Sequence, residues 1–269
     1  MTTRPRTVAP TRTPEPEGPG GAPASAHAST PSPSFDARPA NGSGAGGERH
    51  YRRARRDRGA ETRQRLIEAA LDVFGHLGFE GASTRQIAKE ADANLAAIVY
   101  HFGSKEALHV AVAEHIVGRV GALLGPRLAV AATPAALATP EAARAALIAL
   151  LEAYADVLLG EAEAERWARF IVREQMQPSP AFEVIFGMMS RAHAIATTLV
   201  AVALGRDPAE DAVRLRTFTL IGQVLVFRLA NTMVTRTMDW PAIGAAERAT
   251  IKAVIVANVA AVLDAAVAP

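Results

Sequence analysis

Three helix-capping residues, Ser83, Asn94 and Ser104, stand about ten positions apart and divide the chain between them into two short helices. Ser83-Thr84-Arg85-Gln86 has the form of a capping box, the hydroxyl reaching the third amide of the helix and Gln86 reaching back. The helix so opened carries Ile87 and Ala88 inward and ends near Ala91. Asp92 and Ala93 make a tight turn, and Asn94 caps a second helix from Leu95 to about Phe102, broken by Gly103. Ser104 then caps a longer helix over about 105–124, stopped by Gly125-Pro126. Two short helices joined by a turn of three or four residues form a helix-turn-helix.

The rest of the pattern is helical too. Leu66, Ala69, Ala70, Val73, Phe74 and Leu77 fall on one helical face, order begins near Thr62, and Gly78 supplies a C-cap. After a loop of Ala, Thr and Pro over 126–140, helices are predicted over 141–159, 163–175, 179–204, 208–237 and 245–266. No strand pattern competes. Apolar residues make up 49% of the chain and aromatics only 5%, so the core is built from Ala, Leu, Val and Ile on packed helices. The expected fold is all-α: a helix-turn-helix domain over 59–120, then a larger helical domain over 140–269.

Residues 1–58 are rich in Pro, Gly, Ala, Ser and Thr, and a segment so poor in large apolar side chains is expected to be a disordered basic tail. Between Arg49 and Arg65 lie eight arginines against Asp57 and Glu61, while the whole chain carries a formal charge of only +2. Such a block beside a near-neutral body suits a polyanionic partner, or a solvated arm. The chain has no cysteine, which excludes disulfides, thiolate metal sites and a cysteine nucleophile, and suits a reducing compartment. No apolar leader follows Met1, and the best apolar run, 195–204, is too short to span a bilayer. A cytoplasmic protein with no membrane partner is the expectation.

The helix-turn-helix assigns work to particular residues. Its first helix positions the motif, and Thr84 and Arg85 at that helix's N-terminus can bind phosphate. Its second helix must be slim to enter a major groove about 12 Å wide, and Asn94, Leu95, Ala96 and Ala97 are slim. Tyr100, His101 and Lys105 supply aromatic and cationic groups at the height of the DNA backbone, and Ile98 and Phe102 pin the helix to the core. His101 is as well placed to cap its own helix.

Residues 62–116 resemble the DNA-binding domain of TetR-family regulators. The features shared are the first helix ending in Gly78-Phe79, the second helix Ser83-Thr84-x-x-Ile87-Ala88, and Tyr100-His101-Phe102-x-x-Lys105-x-x-Leu108. Many members start the recognition helix with Lys or Ser-Lys-Gly and carry tandem aromatics, where this chain has Asn94-Leu95-Ala96 and Val99-Tyr100. Base contacts from Leu95 and Val99 are therefore apolar, to thymine methyls, or absent. Residues 140–265 resemble the CerR/CecR-type ligand-binding domain, through 170–175, 178–182, Gly222-Gln223-Val224-Leu225-x-Phe227-Arg228 and Asp239-Trp240. The resemblance implies a homodimer on double-stranded operator DNA, repressing until a small-molecule effector binds. It also implies a four-helix bundle made by the last two helices, whose Leu220, Val224, Phe227, Val254, Val259 and Leu263 suit that interface.

Arg169, Arg173, His193 and Gln223 are the expected ligand-pocket residues, being polar groups within apolar helices. Glu174, Arg228 and Asn231 share that character, and all of them can instead pair across helices; Glu174 looks like a local partner of Arg173 or Arg169. No second histidine stands at ligand spacing from His193, so no metal and no cofactor are expected. Nor is there a phosphate loop or nucleophile elbow, so the chain is not expected to be an enzyme. A constitutive architectural DNA-binding protein without an effector, or an activator of the same fold, are the alternatives.

Overall fold

A long helix leads into the helix-turn-helix. The computed structural model describes the backbone of residues 44–265 and the side chains of residues 58–264. The described residues form ten helices and no strand: α1 Gly44–Gly81, α2 Thr84–Glu90, α3 Leu95–Phe102, α4 Lys105–Ala131, α5 Pro140–Gly160, α6 Ala164–Met176, α7 Pro180–Leu204, α8 Asp211–Leu229, α9 Asn231–Thr237 and α10 Ala245–Ala265. The fold is all-α, as the patterning predicts.

Three boundaries differ from expectation. α1 begins at Gly44 rather than near Thr62, so 44–58 is helical and only 1–43 of the expected tail lies outside the described residues. Arg, Ala and Glu are good helix formers, and they extend a helix already anchored by buried Leu66, Ile67 and Ala70. α4 runs through Pro126 to Ala131. Pro126 removes one helical bond to Ala122, yet both residues are exposed, so the freed carbonyl faces water while buried Leu124 and Ala131 hold the other face. The single helix expected over 208–237 is two, α8 and α9, bent by 75° at Ala230. Asn231, a poor mid-helix residue, follows the bend.

One apolar cluster joins Leu66, Phe74, Ile87, Ile98, Leu108 and Ile116 of α1–α4 to Trp167 and Phe170 of α6 and Ile185 of α7. A second packs α5, α7, α8 and α10. The expected division between 59–120 and 140–269 is thus crossed both by α4 and by a shared core.

That second cluster corrects the sequence-derived interface. Leu220, Val224, Val259 and Leu263 are buried within the chain's own core, not held out for a partner. The exposed apolar stripe of α8 is instead Leu215, Phe218, Gly222, Val226 and Leu229, at helical spacing on the opposite face. On α10 the exposed apolar residues are Ala245, Ala246, Ala249, Ala253, Val254, Ala257 and Ala261.

A further difference concerns α4 and α7. Contrary to expectation, both are long and apolar enough by composition to cross a bilayer. They owe it to Ala, Val, Leu and Ile. They pack on α5 and α6 as well as on each other, and α4 carries Glu114, His115 and Arg119.

Candidate nucleic-acid interface and effector cavity

Each short helix of the motif is held by the cap its sequence provides. Ser83 Oγ accepts from the Gln86 amide (3.1 Å), Asn94 Oδ1 from Ala96 (2.9 Å) and Ser104 Oγ from Ala107 (3.1 Å). The Gln86 side chain makes no return bond among the described residues, so the box is half formed. The turn between α2 and α3 closes through Ala93 N donating to Ala88 O (2.9 Å), with Asp92 at φ 46°. Ile98 is buried in the core and Phe102 is half-buried beneath the Arg63 guanidinium, 5.0 Å from its ring. These two residues orient α3.

The opposite face of α3 is open. Leu95, Ala96, Val99 and Tyr100 are exposed on one side, with Val99 at 65% and Tyr100 at 80%. A short helix presenting Leu, Val and Tyr to solvent has its packed side fully used already, so this face is available to a partner. Arg85 is exposed and Thr84 partly so at the start of α2, flanking that face, and Ala97 is half-buried. Asn94 spends its carbonyl on the cap and keeps its amide N–H₂ for a ligand. His101 leans toward α1, where a Cβ on Gly59 would stand 4.0 Å from its Cε1. The Lys105 ammonium lies 4.3 Å from the Phe79 ring centroid at the start of α4.

Behind this face, α6 grips α1 with a row of arginines. Arg166 forks onto Asp72 (2.7 and 2.8 Å) and donates to Glu68 O (2.8 Å). Arg169 donates to His76 Nε2 (2.8 Å), whose Nδ1 is turned to Asp72 O, and pairs with Glu165 (2.7 Å). Arg173 donates to the carbonyls of Gly75 (3.3 Å) and His76 (2.8 Å). Arg173 lies against Gly78, where φ is 74° and an added Cβ would come within 3.0 Å of the guanidinium. Glycine therefore serves there for its backbone and for its lack of a side chain.

A buried polar cluster sits one layer deeper. His109 of α4 is ringed by Phe74, Phe79 and Phe170, at 4.4, 5.0 and 5.0 Å between centroids. Its Nε2 lies 3.2 Å from Glu174 Oε1, and Ser179 Oγ, the cap of α7, donates to Glu174 Oε2 (2.7 Å). Burial pushes the Glu174 carboxyl up, but the bonds from His109 and Ser179 and the charge of His109 outweigh it and hold the group below the usual range. Glu174 is thus no local partner of Arg169 or Arg173, which the sequence reading had it be.

A cavity of about 540 Å³ opens between α1, α6 and the α8–α9 bend. Arg169, Arg173, Arg228 and Asn231 bring polar groups to it, and Val172, Met176 and Leu229 bring apolar ones. Of the expected pocket residues, Arg169 and Arg173 line it while His193 and Gln223 do not. His193 packs its ring 4.0 Å from that of Phe218 and shares a hydrogen bond with Thr197 (3.2 Å), and burial lowers its pKa. Gln223 accepts from Asn258 of α10 (3.3 Å). Arg228 and Asn231 showed in the sequence only as polar residues in apolar helices; the bend that brings them to α6 has no local signature. No group of three or more His, Cys, Asp or Glu among the described residues could hold a metal.

Comparison with known proteins agrees with this geometry. Residues 66–112 match the family described as bacterial regulatory proteins, tetR family, and residues 143–266 match the C-terminal domain of the HTH-type transcriptional dual regulator CecR. The chain is 35% identical to CecR of Shigella flexneri over 189 residues, 69% of this chain and 83% of that protein. A TetR-like transcriptional regulator from Rhodococcus sp. RHA1 superposes with a TM-score of 0.53 at 18% identity, over 76% of this chain and 96% of that one. AibR, in a structure with isovaleryl coenzyme A and operator DNA, gives 0.52 at 15% identity, over 72% and 96%.

Proposed function

Since the chain belongs to the TetR family of DNA-binding transcriptional regulators and carries a CecR-type C-terminal domain, we propose that it is a homodimeric, ligand-relieved repressor acting on a palindromic operator in the cytoplasm. The observation that carries the reading is the exposed face of α3, Leu95, Ala96, Val99 and Tyr100, presented by a helix whose other side is fixed by Ile98 and Phe102. This face enters the major groove, where Leu95 and Val99 meet thymine methyls. Thr84, Arg85, Asn94, Ala97, Tyr100 and Lys105 contact the groove edge and the phosphates. His101, turned toward α1, steadies α3.

Two copies pair through the exposed stripe of α8 from Leu215 to Val226 and that of α10. Gly222 and the α10 alanines let helices approach closely there, and a dimer sets the two recognition helices about 34 Å apart, one turn of DNA. AibR is in complex with isovaleryl coenzyme A and operator DNA together, and here the cavity between α1, α6 and α8–α9 couples an effector to the DNA-binding motif. The route runs from α6 through Glu174 and His109 to Phe79, and from Phe79 to Lys105 at the DNA edge. Emptying an operator from near full occupancy requires the effector to favour the unbound form by about 5 kcal/mol.

Footprinting the full chain on the DNA upstream of its own coding sequence tests the proposal. Two protected half-sites on a palindrome, released by a small molecule, are the expected result. Uniform protection at every sequence would instead favour an architectural protein.

A further inference from the structure

We propose that the cavity binds an organic phosphate, its phosphate held by Arg169, Arg173 and Arg228 and its carbon body laid against Val172, Met176 and Leu229. The inference deepens the ligand-relieved reading and rests on it for its regulatory meaning. Charge selects the ligand class. The cavity gathers three guanidinium groups and one carboxylate, Glu165, which is spent on Arg169 at 2.7 Å. Arg173 and Arg228 are left without a carboxylate partner among the described residues, and a phosphate monoester carries close to two negative charges at neutral pH. Guanidinium forks match phosphate and carboxylate oxygens alike, and it is the second negative charge of the phosphate that answers two guanidiniums lacking carboxylate partners.

Arg228 adds the most specific sign. Among the described residues its one hydrogen bond is from Nε to Leu158 O (2.6 Å), which leaves both terminal nitrogens for a ligand in a half-buried place. Burial disfavours its charged form, with Glu165 opposing, and a bound anion would remove that cost. Asn231 Oδ1 is buried at the same cavity with no partner among the described residues, ready to accept from a hydroxyl or amide on the ligand. Met176 and Leu229 stand exposed beside these polar groups, and a carbon body covers them.

The same arginines hold α1, which gives binding a consequence. A phosphate that engages Arg173 competes with the carbonyls of Gly75 and His76 for its donors. Recruitment of the guanidinium into the cavity loosens the grip of α6 on the helix that leads into the DNA-binding motif.

The test is titration of the full chain, without DNA, with hexyl phosphate, hexanoate and inorganic phosphate. Hexyl phosphate is expected to bind once per chain, about tenfold tighter than either other probe, and Arg228→Gln to weaken it about tenfold. Should that variant fail to fold, the wild type still answers: hexyl phosphate must protect Arg228 and Arg169 from phenylglyoxal, read by mass spectrometry. Equal affinity for the three probes, unchanged binding by Arg228→Gln, or no protection overturns the proposal. Operator binding by the unliganded protein is measured in parallel. Its loss would sink the regulator reading, whereas intact operator binding with no hexyl phosphate binding sinks this site alone.

Discussion

His109 Nε2 and Glu174 Oε1 lie 3.2 Å apart with both residues almost fully buried, one on the last helix of the DNA-binding motif and the other on α6. Removing one partner of a buried hydrogen-bonded pair leaves the other's polar atom unsatisfied. Glu174→Ala should therefore lower stability by about 1–3 kcal/mol, read by urea unfolding. Because the folded-state pKa of Glu174 is depressed, its contribution is present above the ordinary carboxylate range and is lost as pH falls through the lower folded value. The wild type should lose stability on that acid limb, and Glu174→Gln should flatten it. An unchanged acid limb in the variant would show that other carboxylates govern it.

Gly78 offers a local test of how α1 meets α6. Its φ of 74° and ψ of 175° belong to a region that side chains hardly enter, and Arg173 already fills the space a Cβ would take. Gly78→Ala should cost about 1–3 kcal/mol, whereas Gly118→Ala, with open space around it in α4, should be neutral or stabilising. Calorimetry of the two variants compares them directly.

The contrast between those glycines shows what the sequence discloses. Caps are local, a hydroxyl or amide reaching two or three residues ahead, so Ser83, Asn94 and Ser104 were legible and stand where expected. The inward residues Ile87 and Ile98 followed from helical spacing for the same reason. Partners distant in sequence were not legible. Glu174 has arginines close by in its own helix but binds His109, because α4 passes across α6 in the fold. The apolar α8 was read as an interface through Leu220 and Val224, yet periodicity marks a face without saying which helix covers it. Pro126 was read as a stop because its cost is local, whereas the packing of α4 on both sides of it is not.

The corrected face of α8 carries the dimer prediction. Phe218→Glu with Val226→Glu places charge on the exposed stripe and leaves the monomer core alone. Sedimentation should find a folded monomer with weakened operator affinity. Val224→Glu, by contrast, should unfold the chain, since Val224 is fully buried in its own protomer. A wild-type dimer in the double variant would move the interface elsewhere.

Lys105 tests the phosphate contacts. Lys105→Ala should weaken binding to matched and unmatched DNA alike and lower the slope of log affinity against log salt by about 1. A changed sequence preference at constant slope would assign it to base readout instead. Its ammonium also rests on Phe79, so a loss of about 0.5–1 kcal/mol in stability should accompany the change.

The central claim, that the open face of α3 reads DNA, is tested most directly by fluorescence anisotropy of wild type and Ala96→Glu on the footprinted operator. Ala96 is exposed and touches nothing the fold needs, so the variant should keep the wild-type melting temperature. Its added negative charge meets the groove and should cut operator affinity by about tenfold or more. Undiminished operator binding by a folded Ala96→Glu protein would contradict the account.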